Sequence, residues 1–137
     1  MLRNPVFRYF SRLAQVVPVD PVKGVISSMA FGAAVLRRGY GLVWFPEGGR
    51  SPTGRLQPFK TGVGALLEHE PVPVVPALIQ GTGYILPVSR FVPRSGDVSV
   101  TFGKPMDVEA LERKGEGTEK RERIASGLRA AVKALGA

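Results

Sequence analysis

Apolar residues recur along this chain first at helical spacing and then in short runs broken by glycine and proline. From Pro5 to Val17, the residues Val6, Phe7, Phe10, Leu13, Ala14 and Val17 fall on one side, opposite Arg8, Ser11, Arg12 and Gln15. That pattern predicts an amphipathic helix with a basic face. A short strand is expected over Val16–Val19. Asp20-Pro21 then reads as a helix start, with aspartate as the cap and proline in the first turn. Ile26, Met29, Ala30, Ala33 and Leu36 form the apolar stripe of that helix, and Arg37-Arg38-Gly39 supplies a cationic last turn and a glycine stop. The uninterrupted run Leu42 to Phe45 reads as a buried strand ending abruptly at Pro46.

The second half repeats this alternation. Thr61 to Glu70 is expected to be a short helix with Val63, Leu66 and Leu67 inward, and Val72 to Ile79 a strand that Pro73 and Pro76 make irregular or near an edge. A short element is expected at Tyr84 to Leu86, and a strand over Asp97 to Phe102 with Val98, Val100 and Phe102 on one face. A helix starts at Asp107 to Arg113 and is interrupted by Gly115 and Gly117. A final helix capped by Thr118 turns Ile124, Leu128, Ala131, Val132 and Leu135 inward. Helices alternating with strands predict an α/β fold, a mixed sheet covered by helices, in a single domain over residues 1–137.

The stretch with the most chemistry is GLVWFPEGGRSPTGRLQPFKTG, Gly41 to Gly62. It places a strand end against a glycine-rich loop that carries Glu47, Gly48, Gly49, Arg50 and Ser51. Ligands of α/β sheets collect beyond the carboxyl ends of strands. Glycine lets backbone N–H groups approach an anion closely, and arginine offers a planar fork matching two phosphate oxygens. A carboxylate beside a phosphate is repulsive unless a cation separates them, so Glu47 is expected to pair with Arg50. Lys60 is a second cation near the helix that follows, which could neutralise the same anion or simply be solvated. The spacing Gly49 to Gly54 imitates a nucleotide-binding P-loop. However, Arg55 and Leu56 stand where lysine and a hydroxyl are needed, and Pro52 removes a backbone donor, which excludes that reading.

Phe45-Pro46-Glu47-Gly48-Gly49-Arg50-Ser51 resembles the signature block of the PlsC-like glycerolipid acyltransferases, which make phosphatidic acid from lysophosphatidic acid. Phe59-Lys60-x-Gly62 and Val72-Pro73-Val74-Val75-Pro76 extend the resemblance, which runs from Phe7 to Val108. It implies a glycerol-3-phosphate acyltransferase-like fold. It also implies a lysophospholipid acceptor bound by Glu47, Gly48, Gly49, Arg50, Ser51 and Lys60, with Arg50 and glycine N–H groups on the phosphate and Glu47 orienting Arg50 or accepting from a glycerol hydroxyl. The co-substrate would be acyl-CoA or acyl-carrier protein, with no cofactor and no metal. Two positions depart from the pattern: Gly49 stands where threonine is common, and Pro21 follows Asp20 where the family has arginine, so that the chain manages without it or uses Lys23. The family's catalytic His-x-x-x-x-Asp block is missing. His69 is the one histidine, lies after the signature block, and is followed five positions later by Val74. No catalytic residue is assigned, and the domain is expected to be N-terminally incomplete, with further segments of a larger acyltransferase as candidate partners.

Composition narrows the choice. With 137 residues the chain is long enough to bury a core, and the absence of cysteine excludes disulfides and thiolate metal sites. The formal net charge is +8, and residues 1–60 hold nine Lys/Arg against only Asp20 and Glu47. Such a basic half suits an anionic partner. Pro71 to Ser89 is uncharged, but four prolines and two glycines exclude a continuous membrane helix. Met1 to Leu13 lacks the apolar stretch of a secretory signal. The expected location is cytoplasmic, peripheral at the membrane surface. The alternative is a non-catalytic basic module that binds anionic lipid or nucleic acid. Few aromatics lie among the basic residues to make stacking platforms for nucleic acid.

Overall fold

The computed structural model describes residues 24–89 and 92–136, with side chains described from residue 28 onward. The helix and strand expected before Asp20, and the Asp20-Pro21 cap, lie outside the described residues. The described elements, in order, are α1 (Gly24–Arg37), α2 (Gly62–His69), β1 (Ala77–Gln80), α3 (Thr82–Ile85), β2 (Ser99–Phe102), α4 (Val108–Lys114) and α5 (Lys120–Ala134). The fold is α/β, with its helices packed together and a small antiparallel sheet beside them.

The core forms where α2, α4 and α5 meet. Val63 and Leu67 from α2, Leu111 from α4, and Ile124, Leu128 and Val132 from α5 are buried together, Leu111 and Ile124 completely. Positions 124, 128 and 132 recur at four-residue spacing, so they share one face of α5. Ala131 and Leu135, expected inward as well, are only half-buried. The helices approach closely because glycines stand at the crossings. A Cβ on Gly127 would lie 1.9 Å from the Leu111 carbonyl oxygen, and one on Gly64 1.9 Å from that of Arg121. α1 leans on the same layer: Gly32 is buried, and a Cβ there would touch Leu42, Trp44 and Leu66 side chains at 3.3 Å. Its end follows the sequence pattern, with Gly39 left-handed at φ 76° and Arg37 paired with Glu70 just beyond α2.

α5 starts one residue later than expected. Its cap is Glu119, not Thr118: the Glu119 side chain accepts from the backbone of Glu122, and Glu122 reaches back. Glu122 Oε2 accepts the N–H groups of Thr118 at 2.9 Å and Glu119 at 3.2 Å. These reciprocal bonds satisfy donors that a helix start leaves open. The bonds from Glu119 and Thr118 hold the Glu122 carboxyl below its ordinary range, and Arg121 and Arg123 add to the effect. A carboxyl lowered in the folded state stabilises the fold above its unfolded pKa and stops doing so as pH falls through the folded value. Urea midpoints measured from pH 6 downward should therefore fall less steeply in Glu122→Gln than in the parent chain.

In the sheet, β1 and β2 run antiparallel, with Ala77 opposite Phe102 and Ile79 opposite Val100. Pairing continues through a bridge between Val74 and Met106, whose N–H groups each donate to the other's carbonyl at 2.9 Å. The expected strand over Val72 to Ile79 is regular only from Ala77, because Pro73 and Pro76 have no N–H to give. Pro76 still takes part as an acceptor, bonded by Gly103 N–H at 2.8 Å. Leu78 packs on the helical core, whereas Ile79, Val98, Val100 and Phe102 are exposed.

The run Leu42 to Phe45 corrects the expectation of a buried strand. The segment is not a strand, and no β-partner pairs with it among the described residues. Leu42 and Trp44 are half-buried against the helices, but Val43 is 82% and Phe45 69% exposed. Exposure alternates along the run, so its side chains fall on two sides. Only one of those sides meets a neighbour here.

Candidate acceptor-phosphate site

The loop after Phe45 is held from several directions. Gly48 N–H donates to Phe45 carbonyl at 3.2 Å, closing a turn, and Gly48 takes a left-handed φ of 70° that other residues adopt at a cost. The space over Gly48 is filled by Lys60, whose Cε would lie 2.5 Å from a Cβ at that position. Lys60 N–H donates to Pro46 carbonyl at 2.8 Å. The two ends of the signature stretch are thus clasped together, and the Lys60 stem lies across the glycine turn. This contact brings Lys60 to the loop.

Glu47 does not pair with Arg50. Its Oε2 accepts the backbone N–H of Gln57 at 2.8 Å, ten residues on. Gln57 is the hub of the far side of the loop: its amide nitrogen donates to Ser51 Oγ at 3.2 Å and to Arg55 carbonyl at 2.9 Å. Its carbonyl accepts from Arg129 Nε of α5 at 3.1 Å. Ser51 Oγ also lies 3.4 Å from Thr53 Oγ1. On the other side, a Cβ on Gly83 of α3 would lie 3.1 Å from Gly54 Cα, so α3 backs the turn. Gln57 and Arg129 are the two residues that sequence reasoning missed. Nothing in local spacing ties Arg129 to a loop 72 residues away.

Arg50 is left over by this network. It is exposed, and among the described residues it makes no ion pair or side-chain hydrogen bond; the same holds for the Lys60 ammonium. Gly49 is exposed beside it, with nothing within 4 Å of where a Cβ would sit. Glu47 and Ser51 are therefore spent on the loop's own shape and the Gly48 N–H on its turn, which leaves the Arg50 guanidinium, the Lys60 ammonium and the Gly49 N–H without a partner among the described residues. His69 lies on the exposed last turn of α2. Among the described residues no helix is long and apolar enough to cross a membrane.

An α/β fold that presents a Phe-Pro-Glu-Gly-Gly-Arg loop after the run Leu42–Phe45 defines a class, and comparison with known proteins agrees. The acyltransferase family model matches residues 1–80, and the chain belongs to that family. It is 36% identical over 106 residues to the chloroplastic 1-acyl-sn-glycerol-3-phosphate acyltransferase BAT2 of Brassica napus, a match covering 74% of this chain and 30% of that protein. It is 33% identical, with the same coverage, to LPAT1 of Arabidopsis thaliana, also a chloroplastic 1-acyl-sn-glycerol-3-phosphate acyltransferase. The crystal structure of the 1-acyl-sn-glycerophosphate acyltransferase PlsC from Thermotoga maritima superposes with a TM-score of 0.68 at 26% identity, covering 98% of this chain and 53% of that one. The chain thus spans about 30% of the length of these plant relatives and about half of the bacterial structure.

Proposed function

We propose that this chain supplies the acceptor-phosphate part of an acyltransferase of phospholipid biosynthesis. The complete reaction passes an acyl group from acyl-CoA or acyl-carrier protein to the free hydroxyl of lysophosphatidic acid, giving phosphatidic acid. The hydroxyl oxygen bonds to the thioester carbonyl, the carbon–sulfur bond breaks, and the hydroxyl proton passes to a base while the thiol leaves. No cofactor takes part. The observation that carries this reading is the unpartnered Arg50 on a loop whose Glu47, Ser51 and Gln57 side chains are bonded within it. Arg50 grips the phosphate as a fork, Lys60 adds a point charge, and the Gly49 N–H completes the cradle.

The base is not assigned within this chain. His69 lacks a carboxylate at the family spacing and sits away from the signature turn in sequence. Working on a lipid acceptor, the protein acts at the cytoplasmic membrane surface, where the basic half of the chain is drawn to anionic lipid.

Calorimetric titration with a short-chain lysophosphatidic acid, below its micelle concentration, tests the reading. The matched monoacylglycerol, which differs by the phosphate alone, serves as comparison. Binding of the first and not the second is expected. Equal binding of both, or of neither, overturns the acceptor-phosphate role. Nucleic acid and phosphatidylserine vesicles competing as well as the lysolipid, with steep salt dependence, would instead favour a general basic module.

A further inference from the structure

Arg129 belongs to a part of α5 that is fixed on several sides. Its neighbour Leu128 is buried in the core, as is Ala125 one turn earlier, and Gly127 lies against the Leu111 carbonyl of α4. Glu122, Ala125, Ser126 and Arg129 follow one another at helical spacing, so they share one face of α5. That face and Phe59 border a cleft of about 330 Å3. The helix and the loop therefore stand apart here. The half-buried Arg129 side chain joins them, its Nε–H donating to the Gln57 carbonyl at 3.1 Å. Pro58 steadies the acceptor, because a proline biases the residue before it away from helical backbone.

We propose that Arg129 is a positioning residue for the phosphate grip of Arg50, acting through Gln57; the inference rests on the acceptor-phosphate reading of the loop. Arg50 lies between Glu47 and Ser51 in sequence, and both of those side chains are bonded to Gln57. Glu47 Oε2 accepts the Gln57 N–H at 2.8 Å, and Ser51 Oγ accepts from the Gln57 amide at 3.2 Å. The segment that carries Arg50 is thus fastened on either side to one residue, and Arg129 ties that residue to the helical layer. A forked cation grips a phosphate well only when its backbone is already aimed, and ordering a loop in advance lowers the cost of binding. Arg129 lies beyond residues 1–80, the part that the acyltransferase family model matches, so the family pattern does not assign it this task. The role needs the Nε–H and not the charge, which separates it from direct contact between this guanidinium and the phosphate.

Two substitutions separate the bond from the charge. Glutamine carries its amide nitrogen on Cδ, as arginine carries Nε, so Arg129→Gln keeps an N–H donor at the same reach and loses the charge. Arg129→Met keeps the stem and loses the donor. Calorimetric titration with a short-chain lysophosphatidic acid compares the parent, both variants, Arg50→Ala, and Arg129→Met combined with Arg50→Ala; urea midpoints report whether each is folded. Arg129→Met should weaken binding by about three- to tenfold, the worth of one ordinary hydrogen bond, and Arg129→Gln should recover most of that loss. In the Arg50→Ala background Arg129→Met should cost far less, since the group it aims is gone. Parent-like binding by Arg129→Met, Arg129→Gln as weak as Arg129→Met, or equal fold losses with and without Arg50 each overturn the positioning role and leave the phosphate site in place. Loss of the fold in Arg129→Met would make the residue structural and overturn the role as well. A parent chain that does not bind the lysolipid, or an Arg50→Ala variant that binds it as the parent does, overturns the acceptor-phosphate reading itself and this inference with it.

Discussion

Gly127→Ala should cost the fold about 3 kcal/mol or more, in the range where a forced contact against backbone exceeds ordinary overpacking. The added methyl would lie 1.9 Å from the Leu111 carbonyl oxygen, 2.8 Å from the Leu111 carbonyl carbon and 3.2 Å from Gly115 N. None of these atoms can swing aside as a side chain can. Helix α4 would have to lift from α5, opening the contact where Leu111 and Ile124 are fully buried. Domains of this size are stable by only about 5–15 kcal/mol, so much of the margin would go. Urea unfolding followed by circular dichroism checks the outcome. Gly41→Ala is the control, since nothing lies within 4 Å of its Cβ position, and it should stay within about 0.5 kcal/mol of the parent. A Gly127→Ala variant as stable as Gly41→Ala would mean that α4 and α5 do not pack as described.

Arg50→Ala should weaken lysophosphatidic acid binding by about ten- to a hundredfold, the loss expected for a charge-assisted hydrogen bond of about 1.5–3 kcal/mol. The fold should be untouched, because Arg50 is exposed and makes no side-chain contact that holds the loop. Arg50→Lys keeps the charge without the planar fork and should fall between. Arg38→Ala removes an exposed charge from the same basic half and isolates the general field from the specific grip. Calorimetric titration of the four proteins at two salt concentrations separates these effects. If Arg38→Ala and Arg50→Ala weaken binding alike, attraction is diffuse and the loop is not the phosphate site.

The helices were legible in the sequence because their signals are local. The four-residue spacing of Ile124, Leu128 and Val132, and the glycine after Arg37-Arg38, need no knowledge of distant chain. What failed were pairings. Glu47 was matched to the nearest cation in sequence, Arg50, yet its carboxylate closes the loop on the Gln57 N–H. A backbone donor has no signature in the sequence, so proximity misled. Thr118 reads as the cap from sequence, whereas Glu119, reciprocally bonded with Glu122, takes that place. Leu42 to Phe45 was read as buried because all four residues are apolar. Burial of both faces needs two neighbouring layers, and one alone is present among the described residues. The family was legible from seven consecutive residues, since the Phe45 to Ser51 block has chemistry that few other loops share.

The placement of α5 also bears on how the protein is made. Four of the six residues named above as the core, Leu111, Ile124, Leu128 and Val132, lie in the last thirty or so positions of this sequence. The partner that buries α2 and steadies Gln57 leaves the ribosome after everything it covers. Chains generally fold from the first-made end as they emerge. Here α2 and the signature loop have to wait for α5, their apolar sides uncovered during synthesis. The growing chain is therefore open to aggregation until α5 has emerged. Slowing translation would lengthen that exposure without bringing the fold any earlier.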